Sequence, residues 1–145
     1  MLHDVQGGME MTAKEYLSQA YMLNDEINVK LETLESLKAI ATKITAANSG
    51  MPGGNGGPHS KEDVIIKIAE LNEEINKDVD RLVDIKRDII RTINGISNRT
   101  HRVLLIKRYV NGEDWENIAV DMGYYIRHIY ALHGKALKEI KVSSK

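Results

Sequence analysis

Asp114-Trp-Glu-Asn-Ile-Ala-Val-Asp-Met-Gly-Tyr-Tyr-Ile-Arg-His-Ile-Tyr-Ala-Leu132 decides the fold of this chain. It reads as two short helices meeting at a glycine. Asp114 suits the cap of the first, which begins at Trp115. Gly123 can take the positive φ that a tight turn demands. Ala119 is small where two steeply crossed helices nearly touch, and Gly123 follows it by four residues. Ile118, Met122, Tyr124, Ile129 and Leu132 then supply an apolar set on the facing sides. This is the pattern of a helix-turn-helix. The bland alternative is an ordinary helical corner.

With Ile129 and Leu132 turned inward, the second of these helices presents Arg127, Tyr130, Ala131, Gly134 and Lys138, flanked by Tyr125, Ile126, His128 and Lys135. A recognition helix offers its first residues to base edges in the major groove, and Arg is the commonest reader of guanine. Lys135 and Lys138, with Arg99, Arg102, Lys107, Arg108 and Lys141, are candidates for phosphate contacts, which position a domain without reading sequence. The bland alternative is a solvated basic face. Tyr125 is a poor cap for this helix, and Gly134 weakens it by about 1 kcal/mol relative to Ala.

Upstream, a helix over about Asn98 to Val110 precedes a turn at Asn111-Gly112. The third helix runs from about Tyr125 to Lys141. Residues 97–142 therefore form a three-helix DNA-binding domain.

Residues 12–95 read differently. Thr12-Ala-Lys-Glu15 is a capping box. Tyr16, Ala20, Leu23, Ile27, Leu31, Leu34, Leu37, Ala41 and Ile44 then recur at steps of three or four, one stripe on a long helix. Residues 48–60, rich in glycine and holding both prolines, read as a flexible loop. They lack the Gly-Lys-Ser/Thr ending of a phosphate loop. Ser60 caps a second helix whose stripe is Val64/Ile65, Ile68, Leu71, Ile75, Val79, Leu82, Ile85/Lys86, Ile89 and Ile93. Asn94-Gly95 suits a left-handed residue at its end. Two matched stripes joined by a short loop predict an antiparallel helical hairpin, a coiled coil. Leu37, Ile65, Ile66 and Ile90 widen the stripes, which predicts a homodimer or higher oligomer through the hairpin. The alternative is a hairpin docked on the tail domain. Residues 1–11 read as a flexible amino terminus.

The 145 residues are 42% hydrophobic and 28% charged, a globular balance. Overall the fold class is all-α. A net charge of −1 hides an asymmetry: residues 97–145 carry nine Lys/Arg against five Asp/Glu, a net of +4, as in a protein that meets a polyanion with its tail. The absence of Cys excludes disulfides and thiolate metal sites and fits a reducing cytoplasm. No apolar run is long enough to span a bilayer, and Met1 to Met11 does not read as a signal peptide. His128 and His133 are five apart, which does not set them on one helical face for a metal. No nucleophile, acid/base pair or nucleotide loop emerges, so no cofactor and no enzyme activity is expected.

The segment from Arg102 to Tyr124 resembles region 4 of bacterial sigma factors, which reads the −35 promoter element. More broadly, residues 11–142 resemble small regulators encoded by phages and prophages of Gram-positive bacteria. The likeness lies in Met11-Thr-Ala-Lys-Glu-Tyr-Leu17, in Leu37 to Met51, in Trp115 to Tyr124, in Ile129-Tyr130 and in Lys135-Ala-Leu137. The chain departs at Tyr125, where relatives tend to have Ser, and it has no counterpart of the promoter-melting region 2. Late-gene regulators of the ArpU type belong to this group. The resemblance implies a transcription regulator acting on double-stranded DNA in the bacterial host cytoplasm, with host RNA polymerase as a further partner. Two other functions compete. One is a DNA-packaging adaptor like a small terminase subunit, although those usually carry the DNA-binding part first. The other is a polymerase-binding module without specific DNA binding.

Overall fold

The computed structural model describes residues 11–48 and 60–142, all helices and connecting turns. The expected flexible start, Met11 apart, and almost all of the glycine-rich loop lie outside the described residues. Five helices make up the rest: α1 (Ala13–Asn48), α2 (Lys61–Asn94), α3 (Arg99–Leu105, continued by a π turn over Ile106–Val110), α4 (Trp115–Met122) and α5 (Ile126–Lys138). None is long and apolar enough to cross a membrane.

The caps form where local chemistry places them. The Thr12 hydroxyl accepts from the Glu15 amide at 3.1 Å while the Glu15 carboxylate accepts from the Thr12 amide at 3.0 Å, the complete reciprocal box. At α2 the Ser60 hydroxyl accepts from the Asp63 amide.

Packing divides the described chain into two units. One combines the residues up to Leu23 with those from Leu82 onward; the other is Asn24–Arg81. The sequence boundary near residues 95–97 therefore falls inside the first unit. Its core gathers Tyr16, Leu17 and Ala20 of α1, Ile89 and Ile93 of α2, Leu105 and Tyr109 of α3, and Ala136 and Ile140 at the end of the chain. Burial of one such Leu or Ile contributes about 1.5–3 kcal/mol. The Tyr16 hydroxyl bonds to Asp88 and Thr92 at the edge of this core.

In the second unit Ile27, Leu34, Val64 and Ile75 are buried. The Lys30 ammonium bonds Asp78 at 2.7 Å and Glu74 at 3.3 Å. As α1 runs forward its partners step back along α2, from Asp88 and Thr92 at Tyr16 to Glu74 and Asp78 at Lys30, as in an antiparallel pair. Leu31 and Val79, both on the expected stripes, are instead 42% and 41% exposed. Of the residues that widen the stripes, Ile65, Ile66 and Ile90 are exposed and Leu37 is half-buried.

Three local readings need correction. Neither Asn94 nor Gly95 takes a positive φ. Instead α2 closes by tight bonds, Gly95 N–H to Thr92 O at 3.1 Å and Ile96 N–H to Ile93 O at 2.9 Å. The third-from-last helix is not α-helical to Val110: Asn111 N–H reaches Ile106 O, five residues back, and the wider turn keeps Tyr109 at 3% exposure. Finally, α5 stops at Lys138, because Glu139 and Ile140 close it with bonds to Ala136 and Leu137 while Ile140 enters the core.

Candidate nucleic-acid interface

Asp114 caps α4, its carboxylate accepting from the Asn117 amide at 2.9 Å. At the far end Gly123 sits at φ 76°, in the left-handed region. Its N–H bonds Val120 O, and the Tyr124 N–H bonds Ala119 O at 3.0 Å. These paired bonds are a Schellman closure, which satisfies the last carbonyls and turns the chain sharply. Tyr125 follows in extended conformation and gives α5 no side-chain cap.

Beneath this corner lies a small core of Leu104, Ile118, Ala119 and Ile129, with Trp115, Met122, Ile126 and Leu132 packed around it. All the framework residues expected from the sequence therefore converge except Tyr124. That ring stays 38% exposed and meets the edge of His128 with centroids 4.6 Å apart.

The outward side chains of α5 follow from its pitch. Arg127, Ala131, Gly134 and Lys138 recur at helical steps, and all are exposed. Tyr125 is 88% exposed. With Ile126, Arg127, His128 and Ala131 it lines a concavity of about 670 Å³ at the start of the helix. Tyr130 and Lys135 flank the row and are exposed; the Tyr130 ring also leans on Trp115, centroids 5.6 Å apart. Gly134 has open space where a Cβ would stand. Small residues at 131 and 134 allow another backbone to approach closely.

The arginines and lysine from α3 sit elsewhere. Arg102 donates to the carbonyls of Ile96 at 2.7 Å and Ser97 at 3.0 Å, tying down the end of α2. Arg108 donates to Glu113 O and lies over the rings of Trp115, at 4.4 Å, and Tyr21, at 5.3 Å. Lys107 pairs with Glu113 and Asp121. The structure thus uses these three cations to hold the unit together, whereas Arg127, Lys135 and Lys138 form no ion pair among the described residues. Arg99 and Lys141 are exposed.

One cluster escaped the sequence reading. His133 stacks on Tyr109, meets Trp115 edge-on with centroids 4.7 Å apart, and shares a 2.7 Å hydrogen bond between its Nε2 and the Tyr109 hydroxyl. Burial, with Lys14 and Arg108 nearby, lowers its pKa to about 4. Burial raises the Tyr109 hydroxyl to about 12. At neutral pH the pair is an uncharged donor and acceptor that positions α5 on α3. The signal was present: His133 lies four residues after Ile129 and four before Leu137, on the inward side of the helix.

No curated protein and no solved structure matches the chain. A match to a family does extend over residues 43–141, from the last turns of α1 through α5, and covers more than half of the sequence. By that match the chain belongs to the family described as "Protein of unknown function (DUF1492)".

Proposed function

We propose that the chain binds double-stranded DNA through a helix-turn-helix formed by α4 and α5, and regulates transcription. The observation that carries this reading is the corner itself. A left-handed Gly123 joins two short helices over Ala119, and the second helix turns Arg127, Ala131, Gly134 and Lys138 outward. A narrow, cationic helix face with small residues at its middle suits the major groove. In this reading Arg127 contacts a base edge, Tyr125, His128 and Tyr130 touch sugars or bases, and Lys135 and Lys138 meet phosphates. The likeness of Arg102–Tyr124 to region 4 of sigma factors supports action at a promoter, with host RNA polymerase as a partner. The likeness to phage regulators supports late genes as the target.

Two substitutions test the assignment by titration of labelled duplex. Arg127→Ala should cost about 1–3 kcal/mol at the preferred site and relax specificity there. Lys138→Ala should weaken all duplexes alike and reduce the salt slope by about one. Unchanged affinity in both variants would remove α5 as the DNA face.

A further inference from the structure

We propose that α2 carries a second seam, and that a second copy of this chain lies along it in antiparallel orientation. Ile65, Ala69, Asn72, Asn76, Val79 and Val83 recur at steps of four and three, the spacing of a coiled-coil seam. All six are exposed, Ile65, Val79 and Val83 by 48%, 41% and 49%. Five of them stand one residue on from the inward row of Val64, Ile68, Leu71, Ile75 and Leu82, and Val79 follows Asp78, whose carboxylate bonds Lys30, so the six form a separate stripe on the same continuous helix. A solvated helix face is ordinarily polar.

Charge selects the occupant and its direction. Residues 61–74 hold two Lys and five acids, a net of −3; residues 75–87 hold four Lys/Arg and three acids, a net of +1. A parallel copy would set the acidic half beside its like. An antiparallel copy sets the acidic half beside the basic one. The two asparagines then fix the register. With Asn72 opposite Asn76 of the other copy, Ile65 falls opposite Val83 and Ala69 opposite Val79, and two-fold symmetry repeats each pair. Apolar layers meet apolar layers and amides meet amides. A slip of one heptad either way sets every asparagine against an apolar residue, so the polar layer specifies one alignment. The pairing stands whether or not α5 meets DNA.

Sedimentation of the full chain across a roughly hundredfold concentration range tests it. The expected mass is twice the 16.3 kDa of one chain. Val79→Glu should weaken the dimer by about tenfold or more, with helicity by circular dichroism unchanged. Because the chain has no cysteine, orientation can be read directly by mixing Ile65→Cys with Val83→Cys and oxidising. The antiparallel pair yields a disulfide between the two different variants. A monomer throughout, an assembly larger than two, a dimer indifferent to Val79→Glu, or disulfides only between like variants would each overturn the proposal.

Discussion

Gly123 shows how much one residue decides. Its φ of 76° turns α4 into α5, and a Cβ added there would meet no other atom within 4 Å. The cost of Gly123→Ala is therefore backbone strain alone, about 1–2 kcal/mol, seen as a lower urea midpoint. An unchanged midpoint would mean that the left-handed turn is dispensable. This residue was legible because only glycine fits the turn cheaply. The inward position of His133 was legible too, but its partners were not, since Tyr109 and Trp115 come from α3 and α4. This histidine makes a pH prediction. Its pKa falls from 6.5 to about 4 on folding, so between those values the unfolded chain binds the extra proton. Stability from this group is complete above about 6.5 and declines as pH falls toward 4. Urea titrations at intervals across that window should show the decline in the parent chain and a shallower one in His133→Gln. Equal slopes would contradict the burial of a neutral imidazole.

At the scale of elements, caps and stripes were readable because they are local. The Thr12 box, the Asp114 cap and the bounds of α4 emerged as the residues imply. What local chemistry could not show was the π turn of α3, which depends on where Tyr109 and Arg108 find partners, or the tight closure of α2, which Arg102 holds through two carbonyls. Arg102 and Arg108 are engaged internally while Arg127 faces outward for a like reason: position along a helix is legible, but the neighbour across the core is not. In α5, Gly134 lies in an ordinary helical conformation with free space around its Cβ position. Gly134→Ala should stabilise the chain by about 1 kcal/mol and raise its thermal midpoint. A lower midpoint would show that something packs against this face in the free protein.

For the whole molecule, periodicity predicted helices but not how the chain divides. The stripe of α1 begins in a core shared with α3 and α5, because Tyr16, Leu17 and Ala20 meet Ile89, Ile93, Leu105 and Ala136 there. The helices that carry the proposed DNA face are thus built into the same unit as the start of α1 and the end of α2. Its exposed cations include Arg127, Lys135 and Lys138 of α5, whereas Arg102, Lys107 and Arg108 of α3 are engaged internally. Whether this face reads DNA sequence can be decided by selecting random duplexes on the purified full chain at about 150 mM and about 50 mM salt. The expected result is a recovered motif at the higher salt that loses definition in Arg127→Ala. Retention only at the lower salt, with no motif, would reduce the interaction to phosphate charge and contradict a sequence-reading face.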